Sequence, residues 1–155
     1  MTGVIQRVNS ARLFADGAYT SEIKKGLYIL LGVAKGDTEA DAIALAEKIS
    51  KLRIFTDDND KMNLSVKDID GEVMVVSNFT LNANYAHGNR PDYLLAAAPD
   101  EANRLYEFFL SEMKKRVRLC VSGVFGADMR TELSTDGPVA IVMESSVLLK
   151  KGDKK

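Results

Sequence analysis

The stretch EVMVVSNFTL, residues 72–81, decides how the chain is read. Val73 to Val76 are apolar and mostly β-branched, the composition of a strand covered on both faces. Ser77, Asn78 and Thr80 then follow at once, so small polar groups collect where that strand ends, at a sheet edge or cleft. Side chains of this kind commonly satisfy turn amides. As a catalytic set they lack a base: a serine hydrolase needs one beside its nucleophile, and no GxSxG elbow is present.

Outward from this strand, GLYILLGV (26–33) reads as a second buried strand, and GVIQRV (3–8) and ARLFADG (11–17) as two short ones with Gly17 at a turn. Thr38 and Asp41 have the spacing of a reciprocal cap, which predicts a helix over EADAIALAEKIS (39–50) with Ile43, Ala46 and Ile49 on its inner face. KLRIF (51–55) is predicted as strand and TDDNDKM (56–62) as an exposed turn. A polar loop runs through NANYAHGNRPD (82–92). Pro99 then opens a second helix, whose apolar stripe is Leu105, Tyr106, Phe109 and Met113. VRLCV, DMRTELS and PVAIVMES are predicted strands, with Gly123 and Gly126 in the first link and TDGP (135–138) separating the last two. The order strands, helix, strands, helix, strands predicts a single compact α+β domain over 1–145, with a short charged tail over 146–155 ending in solvated KKGDKK.

Composition narrows the chemistry. A formal net charge of -1 excludes a wholly basic nucleic-acid binder, while leaving room for a local patch such as KKRVR at 114–118. Cys120 is the sole cysteine, so no intramolecular disulfide can form; its apolar surroundings predict a buried thiol. His87 is the sole imidazole and lies in the polar loop, which leaves a Cys/His zinc site without ligands. TDDND lacks the glycine and terminal glutamate of a calcium loop. No long apolar run suggests a leader or a membrane span, so a cytoplasmic protein without metal or cofactor is expected. Gly137–Pro138 gives a turn in which proline fixes φ and two carbonyls can face outward.

VIQRV, GLYILLGV, KLRIF, KMNLSV, VVSNFTL, GNRPD, APDEANRLYEFF, GVFGADM and TDGPV stand in an order that resembles the D-aminoacyl-tRNA deacylase family, also called D-tyrosyl-tRNA deacylase, over nearly the whole chain. The resemblance implies a homodimer of compact α+β subunits, with barrel-like, mainly antiparallel sheets backed by two helices. It implies an enzyme that hydrolyses the ester between a D-amino acid and the terminal adenosine of tRNA, and that also releases glycine, in translational proofreading. One wall of its pocket would be Ser77, Asn78, Phe79, Thr80 and Leu81; the other a cis Gly137–Pro138 from the partner subunit, held in orientation by Arg7. Phe125 and Met129 match pocket residues.

Backbone amides of Phe79 and Thr80 are then the expected oxyanion donors, and the adenosine 2'-hydroxyl supplies chemistry that the side chains lack. Thr80 is expected to orient rather than attack. Arg90, Lys114, Lys115 and Arg116 are candidate contacts to the tRNA backbone, on local charge alone. Three positions depart from the family pattern: Asn78 replaces a glutamine, and Thr135 and Ala140 replace the outer Asn and Thr of the Gly-Pro motif. Those departures prompt an alternative, a non-catalytic or divergent nucleic-acid-binding member of the same fold.

Overall fold

In the computed structural model, which describes residues 1–150, the N-terminal segment is one long strand, β1 (Thr2–Ala15), where two short ones were expected. Asn9 and Ser10 look like a break in sequence, but they are exposed polar residues in an unbroken extended backbone. The Asp16–Gly17 turn, with φ of 50° and 81°, returns the chain into β2 (Ala18–Ile23). Two successive positive φ values match the right-handed twist of a two-residue hairpin. β1 is also the spine of the sheet. One of its edges is divided between β3 (Gly26–Gly32) and β2, and the other carries β8 (Met129–Glu144), all antiparallel.

Beyond β3 the pairing turns parallel. β6 (Glu72–Ser77) lies beside β3 and β7 (Leu119–Ser122) beside β6. Parallel neighbours need crossovers, which helices α1 (Glu39–Ser50) and α2 (Pro99–Lys114) supply. A small hairpin, β4 (Phe55–Thr56) with β5 (Met62–Leu64), lies outside the main sheet. β2 curls back towards β6 and β7, so the sheet is barrel-like and, apart from its parallel centre, antiparallel.

The two faces of β3 and β6 explain their apolar runs. Leu27, Ile29, Leu31, Val73 and Val75 pack towards the helices. Tyr28, Met74 and Val76 point the other way and join Val8, Leu13 and Ile23 inside the curl. Val73, Met74 and Val75 are fully buried, and at about 25 cal/mol per Å2 the burial of such side chains stabilises the fold by roughly 1.5–3 kcal/mol each.

α1 begins as its cap predicts: the Thr38 amide donates to Asp41 Oδ2 at 2.8 Å. Its inner face is corrected to Ala42, Leu45, Ala46 and Ile49, and Ile43 is exposed. The stripe of α2 is buried as expected. KLRIF contributes only Phe55 to a strand, although Ile54 is also buried. Cys120 is buried, and burial pushes its thiol up to about 11.

Two features at the end of the chain differ from expectation. TDGP interrupts no strand, because β8 runs through it. A third helix, α3 (Ser145–Leu149), opens the segment expected as tail. Leu148 packs on the core, while the Ser145 hydroxyl donates to Asp41 Oδ1 at 2.7 Å and accepts from the Met1 ammonium at 2.8 Å. Lys151 to Lys155, most of KKGDKK, lie outside the described residues. Among the described residues no helix is long and apolar enough to cross a membrane.

Candidate active site

β6 carries its last residue, Ser77, to the carboxyl end of the parallel pair, where crevices for ligands form in such sheets. The next residue, Asn78, donates its amide to Leu31 O at 2.8 Å and caps a single 3-10 turn, Phe79–Asn82. Asn82 pins the far side of the turn, its buried side chain donating to Val33 O at 3.1 Å. Gly32 makes that close seat possible, since a Cβ there would lie 2.9 Å from Leu81 Cβ and 3.1 Å from Asn78 O. This wall is thus bolted to the end of β3 by one main-chain bond and one side-chain amide, both to main-chain carbonyls.

Against this wall lies a cavity of about 470 Å3, bounded by Ser77, Asn78 and Phe79 on one side and by Tyr106, Phe125 and Met129 on the other. Of the expected pocket residues, five therefore meet in one chain: Ser77, Asn78, Phe79, Phe125 and Met129. Met129 has room because a Cβ on Gly123 would come within 2.5 Å of its sulfur. Tyr106 forms the floor. Its hydroxyl donates to Val75 O at 2.9 Å, and burial raises its pKa well above that of a free tyrosine. At the mouth Phe79, 59% exposed, meets Tyr93 edge to face at 5.0 Å.

Asn78 Oδ1 accepts from both the Thr80 amide, at 3.2 Å, and the Thr80 hydroxyl. Of the two amides expected as oxyanion donors, that of Thr80 is occupied by Asn78, while among the described residues the Phe79 amide meets no acceptor.

The other expected wall is built differently. Along β1, Gln6 faces Ala140 and Val8 faces Thr135, so Asp136 to Val139 leave the ladder and bulge from β8. The bulge holds Gly137–Pro138, joined by a cis peptide bond. Its backbone is too tight for a side chain at its first position: a Cβ on Gly137 would lie 2.1 Å from Val139 N. Arg7 stands opposite the gap. Its Nε donates to Asp136 O at 3.0 Å, its Nη1 to Ile54 O at 2.7 Å, and Asp136 Oδ2 lies 3.2 Å from Nε. Gly137 and Pro138 are exposed and do not line the cavity of their own chain. β8 pairs only with β1, so its outer edge has no strand neighbour among the described residues.

The comparisons with known proteins bear on this arrangement. The model of the family described as D-Tyr-tRNA(Tyr) deacylase matches residues 4–144. The chain is 50% identical over 145 residues to a D-aminoacyl-tRNA deacylase of Caldicellulosiruptor saccharolyticus, covering 94% of this chain and 97% of that one. With the enzyme of the same description from Pseudoalteromonas translucida the identity is 51%, covering 90% and 96% of the two chains. The chain belongs to the D-Tyr-tRNA(Tyr) deacylase family.

Among solved structures, one titled c-Myc DNA Unwinding Element Binding Protein superposes with a TM-score of 0.88 at 37% identity, covering 93% of this chain and 98% of that one. A probable eukaryotic D-amino acid tRNA deacylase superposes at 0.77 with 14% identity, covering 93% and 100%, a likeness of fold alone.

Within this deacylase fold the departures from the family pattern sit mildly. Thr135 and Ala140 bracket the bulge as its last paired residues, and both are exposed, so within one chain Ala140 strands no buried partner by lacking a hydroxyl. Asn78 has become the cap of the turn.

The basic candidates separate. Arg90 is exposed in the loop after the wall, which Asn84 and Asp92 close through paired main-chain bonds of 2.8 and 3.0 Å. His87 is exposed in that loop. Lys114, Lys115 and Arg116 lie at the other end of α2 from the cavity. Pro99, Ala102 and Tyr106 of that helix line it, so the three cations begin about 12 Å beyond the cavity along the axis. Lys115 and Arg116 also both pair with buried Glu112, whose carboxyl they hold below its usual range. Within one chain they do not flank the site. Tyr106, Tyr93 and Asp136 are the residues that sequence reading left out of the site. Tyr106 was visible only as part of the helix stripe, and Asp136 only as a turn residue.

Proposed function

We propose that this protein hydrolyses the ester of D-aminoacyl-tRNA, releasing free amino acid and tRNA, and that it does so as a homodimer in which Gly137–Pro138 of one copy completes the cavity of the other. The observation that carries this reading is the division of labour within one chain: a cavity lacking a general base, and a bulge on an unpaired sheet edge that does not line that cavity. A long unpaired edge strand is a template for association, and a two-fold dimer places the same patch on both copies.

The chemistry asks little of side chains. An aminoacyl ester is already activated. Water attacks its carbonyl carbon, the oxyanion forms 2.7–3.1 Å from the Phe79 amide, and the C–O bond to the terminal ribose breaks as that oxygen takes up a proton. The neighbouring 2'-hydroxyl of the adenosine takes part, so no histidine is needed. Because the Thr80 hydroxyl is bound to Asn78, it holds the turn in shape and is not activated for attack.

Main-chain atoms supply the chirality. The carbonyls of Gly137 and Pro138 accept hydrogen bonds from the substrate α-ammonium and crowd one side of its α-carbon. A D side chain points away, an L side chain strikes the backbone, and glycine passes. The terminal adenosine enters the cavity between Phe79 and Met129, while Arg90 lies on the side where the acceptor strand approaches. Substrates of this kind place the protein in the cytoplasm.

A second reading, nucleic-acid binding without catalysis, takes support from the 37% identical c-Myc DNA Unwinding Element Binding Protein. Arg12, Arg104, Arg118 and Arg130 are each paired with carboxylates, so in either reading phosphate contacts fall to other cations. Hydrolysis of matched D-Ala-, Gly- and L-Ala-tRNA by the purified protein decides between the two. Release of D-Ala and Gly with L-Ala spared is expected. No release of any of the three, with tRNA or duplex DNA still bound, would favour the second reading.

A further inference from the structure

The bulge that carries Gly137–Pro138 has left the ladder, so it lacks the bonds that fix a strand. A segment of this kind with few protected hydrogen bonds belongs to the low-stability end of a structure. Val139 packs on the core, and the polar side-chain ties of the bulge converge on one residue. Arg7 bonds the main-chain oxygen of Asp136 and pairs with its carboxylate, Nε to Oδ2 at 3.2 Å and Nη2 to Oδ1 at 3.5 Å.

Asp136 immediately precedes the glycine, so the bond to its carbonyl fixes the peptide plane that leads into Gly137, and the carboxylate fixes the residue from its other end. Nη1 of the same guanidinium donates to Ile54 O at 2.7 Å, and Ile54 is a buried core residue. The Arg7 side chain is 11% exposed, and Asp136 is the carboxylate paired with it among the described residues. A guanidinium so enclosed is costly to leave without its counter-charge.

We infer that Asp136 is a positioning residue for chiral selection: its carboxylate locks Arg7, and through Arg7 the core, to the base of the Gly137–Pro138 bulge. The inference rests on the two-copy reading above. Asp136 touches no substrate. Its role is to hold two main-chain carbonyls to within a fraction of an ångström, where a misplacement of 1 Å costs about 100-fold in rate. The side chain selects by aiming the backbone.

The test compares Asp136→Ala, Asp136→Asn and Asp136→Glu with the parent dimer on D-Ala- and L-Ala-tRNA. Asp136→Ala is expected to lower kcat on D-Ala-tRNA more than it changes KM, and to reduce the D-to-L ratio of kcat/KM at least about tenfold, consistent with a displaced wall. Asp136→Asn should fall between Asp136→Ala and the parent, and Asp136→Glu should recover most of the ratio.

Hydrogen–deuterium exchange gives a readout independent of turnover. Amides of residues 135–140 should exchange faster in Asp136→Ala, with those of β3 and β6 unchanged. An unchanged D-to-L ratio, or unchanged exchange over 135–140, overturns the inference. If the parent itself fails to prefer D-Ala-tRNA, the proposed function falls, and the exchange comparison alone decides whether Asp136 holds the bulge.

Discussion

The two walls of the proposed site differ in how the chain holds them. The Ser77–Thr80 wall ends a strand buried on both faces, and its turn is fastened to Leu31 O of β3 and to Val33 O just beyond it. The Gly137–Pro138 wall stands on a sheet edge, out of register, and is held by one arginine and by the packing of Val139. The first wall inherits rigidity from the core. The second has a geometry of its own that can be altered without unfolding the sheet. Reaction chemistry is assigned to the rigid wall and choice of substrate to the tethered one, so variants on the two sides should fail in different ways.

The largest effect is expected from Phe79→Pro. Proline is tolerated at the first position of a helical turn, so this change removes the free amide with little disturbance of the fold. Loss of an oxyanion donor costs about 100- to 1,000-fold in kcat, with Phe79→Ala as the control for the ring. D-Ala-tRNA turnover at saturating substrate measures it, and a loss no greater than that of Phe79→Ala would show that the amide is not used.

Next comes Gly137→Ala, whose Cβ would meet Val139 N at 2.1 Å. The bulge must then change shape, and D-selective hydrolysis is expected to fall about 100-fold. Thermal unfolding should move little, because the change lies outside the ladder. A large drop in Tm with selectivity retained would reverse the assignment of roles.

Much of this contrast was legible in the sequence, and the failures have physical causes. The run VMVV announced a strand buried on both sides, and it is one. Thr38 with Asp41 announced the start of α1. Ile43 is exposed because an alanine-rich helix offers several apolar faces, and the phase is set by what it packs on: Ala42 and Leu45, one step away, join Ala46 and Ile49 inside. TDGP was read as a turn between two strands, because composition cannot distinguish a turn from a bulge whose flanking residues stay paired to the same neighbour. The occupied Thr80 amide depends on a side-chain rotamer. The basic run after α2 was assigned by charge alone, whereas the direction of α2, set by the parallel β6–β7 crossover, carries it away from the cavity.

Smaller effects sharpen the comparison. Asn78→Ala removes the cap of the rigid wall, a change worth about 1 kcal/mol, and frees the Thr80 amide and hydroxyl. Stability measured by denaturant should fall by that amount while the D-to-L ratio holds, since the other wall is untouched. A collapse of the ratio would mean that the walls are coupled.

The smallest effect concerns pH. Glu72 begins the strand of the rigid wall. Its carboxylate accepts the Lys24 amide at 2.7 Å and Arg118 Nη2 at 2.7 Å, and these contacts lower its pKa from the ordinary 4.5. A lowered folded-state value means that its stabilisation is present above the unfolded-state pKa and is lost as the pH falls through the folded one. Glu72→Gln should therefore flatten the acid limb of the stability curve below about pH 4.5, and an unchanged limb would assign acid unfolding to other groups.

The central claim is that each site is assembled from two copies, and subunit complementation tests it most directly. Phe79→Pro homodimers lack a working rigid wall and Gly137→Ala homodimers lack a working tethered one. When the two are unfolded together and refolded, half of the dimers are mixed, and each mixed dimer holds one site with both walls intact. The predicted result is recovery of about a quarter of parental D-Ala-tRNA hydrolysis, from random pairing in a two-fold dimer. Mixed dimers as inactive as the two parents would contradict the account.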